Sequence, residues 1–152
     1  MKILFCTDGS KQSQKALEVA SQIAAGCNIT EVVVMHVFDE KLDLSALLPT
    51  NEDIPLVTEE MGELKKLMQK QAEERDKLLE DALKYFKKKS ITAKAVLKKG
   101  HPVNTIVKTA REEGFDMIIM GKRGFESKKG FLGSVSSAVV NEAENCTVVI
   151  VK

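Results

Sequence analysis

The chain has no tryptophan, and only 5% of its 152 residues are aromatic. Base-stacking platforms, which need several exposed aromatic faces, are not expected. Neither sign of charge dominates: 23 Lys and Arg stand against 22 Asp and Glu, for a net charge of +1. A long-range attraction to nucleic acid or to a membrane surface is not indicated. No apolar run is long enough to span a bilayer. Apolar residues 3–6 give way at once to the polar Thr7-Asp8-Gly9-Ser10, too short a stretch for a secretory signal. Cys6, Cys27 and Cys146 have no metal-ligand spacing, and their odd number gives no disulfide framework. Each reads as a small buried apolar residue in a reducing cytoplasm. His36 and His101 have no Cys or carboxylate partner at catalytic spacing, so neither a triad nor a zinc site is expected.

What is present is an ordinary globular balance, 43% hydrophobic and 30% charged, in a length that suits one domain, 1–152. Residues 2–7 read as a buried strand ending at Asp8-Gly9. Ser10 is placed to cap a helix with Ala16, Leu17, Ala20, Ile23 and Ala24 on one face, closed at Gly26. Residues 31–38, with V-V-V-M-H-V, read as a second strand buried on both faces, in which His36 is a satisfied core or interface residue. Residues 39–57, with Pro49 and Pro55, read as a surface insertion. An amphipathic helix follows over 58–89, with Met61, Leu64, Met68, Ala72, Leu79, Ala82 and Phe86 as its stripe. Residues 91–97 form a third strand. Gly100-His101-Pro102 opens a helix with Val103, Ile106, Val107 and Ala110 inward. Residues 116–120 and 147–151 complete the set as fourth and fifth strands. Strands alternating with helices predict an α/β fold, a doubly wound parallel sheet with helices on both faces.

The most informative stretch follows the fourth strand. Gly121, Gly124, Gly130 and Gly133 are interleaved with Lys122, Arg123, Lys128 and Lys129, and Ser134 then opens an apolar-patterned helix. A strand, a glycine-rich basic loop and a helix start make an anion cradle. Glycine permits close backbone approach, and unpaired N–H groups at the helix start point outward. Ligands of doubly wound sheets sit at the carboxyl ends of the strands, where the strand order reverses. That rule gathers the carboxylate of Asp8, the apolar Val37 and the glycine loop at one edge. Each has a plainer reading too: Asp8 as a turn residue, the loop as a crossover, the cations as solvated charge, Ser134 as an N-cap.

With these residues on the page, the chain resembles the universal stress protein family over nearly its whole length. The resemblance rests on T-D-G-S, V-M-H-V-F-D, G-H-P, E-E-G-F-D-M-I-I-M-G-K-R-G, the closing G-S and the final C-T-V-V-I-V. It implies a Rossmann-like sheet of five parallel strands in the order 3-2-1-4-5. It also implies an ATP-binding (or AMP- or ADP-binding) dimeric regulatory module of the stress response. In the nucleotide-binding branch the loop runs glycine, two residues, glycine, nine residues, glycine, then Ser or Thr. Here Gly121, Gly124 and Gly133-Ser134 match, but only residues 125–132 separate the last pair from Gly124, one fewer than the pattern. Carried over, the resemblance gives Asp8 the ribose hydroxyls, puts Thr7 and Val37 at the adenine, and has Met120 flank the nucleotide. Gly121, Gly124, Gly133 and Ser134 would wrap the phosphates, with an N–H from Val135. Magnesium would bridge the phosphates without a dedicated carboxylate cluster, and no residue is assigned to catalysis, so hydrolysis is slow at most. A homodimer through the C-terminal strand and a regulatory protein partner are expected, with no nucleic acid and no membrane. Two alternatives stay open: a dimerising family member that has lost the nucleotide, and an adenine-nucleotide hydrolase or adenylating enzyme on a similar fold.

Overall fold

The computed structural model describes residues 1–27, 29–39, 58–124 and 132–152, and for residues 58–61 and 64 the backbone alone. The expected insertion therefore lies outside the described residues except for Asp39. So do Lys128, Lys129 and Gly130, and the side chains of Met61 and Leu64.

Five strands alternate with four helices: β1 (Lys2–Cys6), α1 (Lys11–Gly26), β2 (Glu31–Phe38), α2 (Thr58–Lys88), β3 (Ala93–Lys99), α3 (Pro102–Glu112), β4 (Met117–Gly121), α4 (Ser134–Glu142) and β5 (Thr147–Val151). The strands pair in parallel in the order β3-β2-β1-β4-β5, as expected. Alternating side chains of the central strands feed two cores. Leu4, Val33, Met35, Ile118 and Met120 pack with Val103 and Ile106 of α3 and Val139 of α4. Ile3, Phe5, Val32, Val34 and Ile119 pack with Ala16 and Ala20 of α1 and Leu79, Ala82 and Phe86 of α2. Phe5 and Phe86, both fully buried, meet edge to face at 6.2 Å.

The helix ends follow from local chemistry. Ser10 caps α1, its Oγ accepting from the Ser13 N–H at 3.2 Å. Gly114, at φ 65°, lets the Phe115 N–H turn back to the Ala110 carbonyl and stop α3. Ser90, at φ 60°, does the same for α2, with Ile91 N–H on the Phe86 carbonyl and Ser90 N–H on that of Lys87. This corrects the third strand, expected over 91–97. Ile91 is used by the helix stop, and β3 begins two residues later. The α2 stripe is buried only toward its C-terminal end, and Ala72 is exposed. A helix of 31 residues is about 46 Å long and outruns the sheet it packs on. Cys27, expected to be buried, is exposed because it caps the solvent end of α1.

Candidate functional site

At the carboxyl ends of β1, β2 and β4 the chain encloses a cavity of about 440 Å³. All nine residues singled out from the sequence line it: Thr7, Asp8, Val37, Met120, Gly121, Gly124, Gly133, Ser134 and Val135. The cavity exists because β1 and β2 continue to helices on one face of the sheet while β4 continues to α4 on the other. The connections part and leave a gap between them.

Asp8 sits on a turn fixed from several sides. The Thr7 N–H bonds the Met35 carbonyl at 3.0 Å. The Thr7 hydroxyl accepts from the Gly9 N–H at 3.3 Å and lies 3.2 Å from the Ser13 hydroxyl. Asp8 Oδ1 accepts from the Ser10 N–H at 2.9 Å, so the turn-forming role is present in the structure. The other oxygen, Oδ2, faces the loop: a Cβ on Gly124 would stand 2.5 Å from it.

The remaining glycines are also explained by close approach. A Cβ on Gly121 would meet the Gln12 carbonyl carbon at 2.8 Å and the Ser13 nitrogen at 2.9 Å, so glycine lets α1 seat on the end of β4. One on Gly133 would lie 3.1 Å from the Lys122 carbonyl oxygen. The Gly133 N–H donates to that same oxygen at 2.9 Å, so its donor is engaged within the protein. The Ser136 hydroxyl reaches the Lys122 carbonyl at 2.7 Å and further clasps the loop base. Sequence reasoning missed Ser136, because a hydroxyl two residues into a helix carries no signal of its own.

Ser134 was expected as the N-cap of α4. The cap is Gly133 (φ −63°, ψ 154°), with no side chain to accept a bond, and Ser134 is the first helical residue. The result is a helix start with no side-chain cap, set in the cavity wall. The N–H groups of Ser134, Val135 and Ser136 have no carbonyl one turn earlier within α4, which leaves a concentration of positive dipole there. Pro102 and Ile106 of α3, with Met35 and Met120, give the apolar part of the wall. Pro102 and Ile106 could have been found: G-H-P follows β3 and so starts α3 at the same edge. Cys6 also lines the cavity, and burial pushes its thiol up to about 12, so it is a packing group and not a nucleophile. Among the described residues, no group of three or more His, Cys, Asp or Glu could hold a metal ion.

The order of strands and the cavity at their switch point define a Rossmann-like α/β protein. A family model for the universal stress protein family matches residues 1–152, and the chain belongs to that family. It is 32% identical to universal stress protein YxiE of Bacillus subtilis over 154 residues, covering 99% of this chain and 98% of the relative. It is 33% identical to universal stress protein MJ0577 of Methanocaldococcus jannaschii over 156 residues, covering 99% and 94%. A solved structure of MJ0577 superposes with a TM-score of 0.75 at 31% identity, covering 99% of this chain and 94% of the other. Two further structures share the fold: a universal stress protein in complex with cAMP (TM-score 0.66, 21% identity, 99% and 95% covered), and one from Archaeoglobus fulgidus in complex with dAMP (TM-score 0.61, 22% identity, 100% and 98% covered). No helix among the described residues is long and apolar enough to cross a membrane.

Proposed function

We propose that this chain binds an adenine nucleotide, ATP before GTP, at the switch-point cavity and works as a homodimeric regulatory module in the cytoplasm. One observation carries the reading: an exposed carboxylate, Asp8, and the uncapped start of α4 line the same cavity, with apolar Val37 and Met120 also in its wall. A nucleotide has the matching parts, hydroxyls for the carboxylate, phosphates for the helix start and a flat base for the apolar wall. A volume of about 440 Å³ lies within the usual range for such ligands. The fold is one that holds cAMP and dAMP in the two proteins named above.

Within this reading Asp8 Oδ2 accepts from the ribose, while Thr7, Val37 and Met120 surround the base. Ser134 and Val135 donate their N–H groups to phosphate. Gly121, Gly124 and Gly133 contribute by having no side chain, which lets the loop and α1 close on the site. Magnesium would enter with the nucleotide, and no residue of this chain is assigned to hold it. In this reading Asp8 is used on the ribose hydroxyls and no other described residue is placed to activate water, so we assign no general base, and turnover of ATP is slow at most. A family member without nucleotide is the second reading. The one-residue shortfall of the loop favours it, because an altered loop can close on itself instead of on an anion.

Nucleotide released on denaturing protein purified without added ligand, together with calorimetric titration, decides between them. ATP should bind and GTP should bind more weakly, because each buried polar group left unpaired costs about 1–3 kcal/mol. Equal affinities, or none for either, reject the adenine reading.

The dimer is proposed through β5. Among the described residues no further strand pairs with either sheet edge, but β3 carries Lys94, Lys98 and Lys99, which blunt pairing, whereas β5 is T-V-V-I-V without a charge. Two-fold symmetry lets β5 meet its own copy. Val149→Lys should shift the protein toward monomer in sedimentation. Wild-type protein that is monomeric at tens of micromolar rejects the dimer outright.

A further inference from the structure

His36 lies just beyond the last register pair of β1 and β2, Cys6 with Met35. The next pair would be Thr7 with His36, and a parallel ladder would continue with two bonds: Thr7 N–H to Met35, and Thr7 carbonyl from the Val37 N–H. The first is formed, at 3.0 Å. The second is not among the backbone bonds of the described residues. The Thr7 carbonyl instead lies 2.8 Å from Nδ1 of His36. A carbonyl cannot donate, so Nδ1 must carry the proton, in the neutral ring or in the cation alike. The neutral ring is thereby held in the Nδ1–H tautomer with Nε2 as the acceptor.

We propose that His36 is a positioning residue that ends the β1–β2 ladder and so prepares the switch-point cavity. It holds the Thr7 carbonyl away from its ladder partner. The Val37 N–H is thereby left at the cavity that Val37 lines, as a donor for the polar edge of a bound base. The same bond fixes the residue that precedes Asp8, so one imidazole sets both the base-reading and the hydroxyl-reading ends of the site. The ring itself does not line this cavity. His36 lines a neighbouring one of about 560 Å³, with Phe38 and Arg75, that shares Asp8 and Val37 with the first. The inference deepens the adenine-nucleotide reading and rests on it for its binding consequence, though not for its structural one.

The test uses the whole chain. Nitrogen–proton correlation spectra of wild type at mildly alkaline pH should show His36 as the Nδ1–H tautomer. His36→Val removes the donor, and the Thr7 carbonyl should then return to Val37. The Val37 amide should exchange with solvent more slowly, and ATP should bind roughly ten-fold more weakly, the worth of one hydrogen bond. His36→Asn keeps an N–H donor at the position of Nδ1 and should restore both values toward wild type. An Nε2–H tautomer, an unchanged Val37 exchange rate in His36→Val, or failure of Asn to rescue overturns the proposal. If wild type binds no adenine nucleotide, the function proposed above falls, while the tautomer and exchange measurements still judge His36.

Discussion

The two ends of this sheet are built from the same five strands and are finished in opposite ways. At the amino end, neighbouring chain segments are stitched together. The Lys2 N–H donates to Asp116 Oδ2 at 2.7 Å, and its Nζ donates to the Glu113 carbonyl at 2.6 Å and lies over the Phe115 ring at 4.7 Å. Glu31 pairs with Lys94 at 2.9 Å and with Lys2 at 3.4 Å. Backbone bonds from Thr30 to Met1, Asp116 to Lys2 and Thr147 to Asp116 close the strand starts. At the carboxyl end the side chains turn inward on the turns themselves: Asp8 on Ser10, Ser136 on Lys122, His36 on Thr7. These bonds shape the turns around the cavity, while Thr7 N–H to Met35, Gly100 N–H to Phe38 and Lys122 N–H to Val151 still join neighbouring strand ends. At the amino end charged side chains join one strand start to the next, whereas at the carboxyl end side chains mostly bond the turns that border the cavity. Substitutions at the first should therefore change stability, and those at the second should change binding.

The largest effect expected concerns how tightly the carboxyl end is packed behind its cavity wall. Cys6 lines the cavity yet is buried, with its thiol pushed up to about 12. At pH 8 only about one such thiol in ten thousand is ionised. Cys27 is exposed at the end of α1. Brief alkylation followed by peptide mass spectrometry should show Cys27 modified at least about a thousand-fold faster. Rates within ten-fold of each other would mean that the wall opens readily, and the contrast between the ends would fail.

Next in size is Asp8. Asp8→Ala should weaken ATP binding by roughly ten-fold or more, since a charged acceptor contributes about 1.5–3 kcal/mol. Asp8→Asn separates its two roles. It can keep the turn bond to the Ser10 N–H while losing the charge that faces Gly124. Gly124→Ala puts a Cβ 2.5 Å from Oδ2, so the carboxylate must move, and should mimic Asp8→Ala. The double variant should be no worse than either single one, because both remove the same carboxylate position. Additive losses, or unchanged affinity in Asp8→Asn and Asp8→Ala, would return Asp8 to the turn alone. In all three the melting temperature should move little.

The same division explains what could be read in the sequence. β2 and β5 match their expected limits because both are dense in β-branched apolar residues, V-V-V-M and V-V-I-V. All nine site residues meet at one cavity, since they follow strand ends and the switch-point rule places strand ends together. What escaped reading depends on the backbone. The Ser90 stop of α2 displaced β3, because a serine at positive φ has no sequence signature. Gly133 took the cap from Ser134 because its N–H was drawn to Lys122. The glycines were read as room for an anion, and Gly121, Gly124 and Gly133 each first make room for the chain's own atoms. The His36 bond to Thr7 was legible only as a satisfied histidine, since no pattern says which carbonyl satisfies it.

The smallest effect belongs to the amino end. Hydrogen bonding to Lys94 first, and then to Lys2, lowers the Glu31 carboxyl below its ordinary value of 4.5. A carboxylate lowered in the folded state adds stability that is present above the ordinary value. That stability is lost as the pH falls through the lowered one. Glu31→Gln removes the group from the balance. The variant should melt slightly below wild type at pH 7, and the difference should shrink as the pH is taken down toward 3. The shift stays small, because Lys94 is exposed, Lys2 and Glu31 are partly so, and water screens such pairs. Salt should reduce it further, as for any surface pair. ATP affinity should not change, since Glu31 opens β2 and the cavity lies at the other end, roughly 20 Å along the strand. Thermal melts at several pH values, beside one titration at pH 7, check all of this. A melting difference that widens toward acid would reverse the assigned sign. A loss of ATP binding larger than the loss of stability would show that the two ends are not separate.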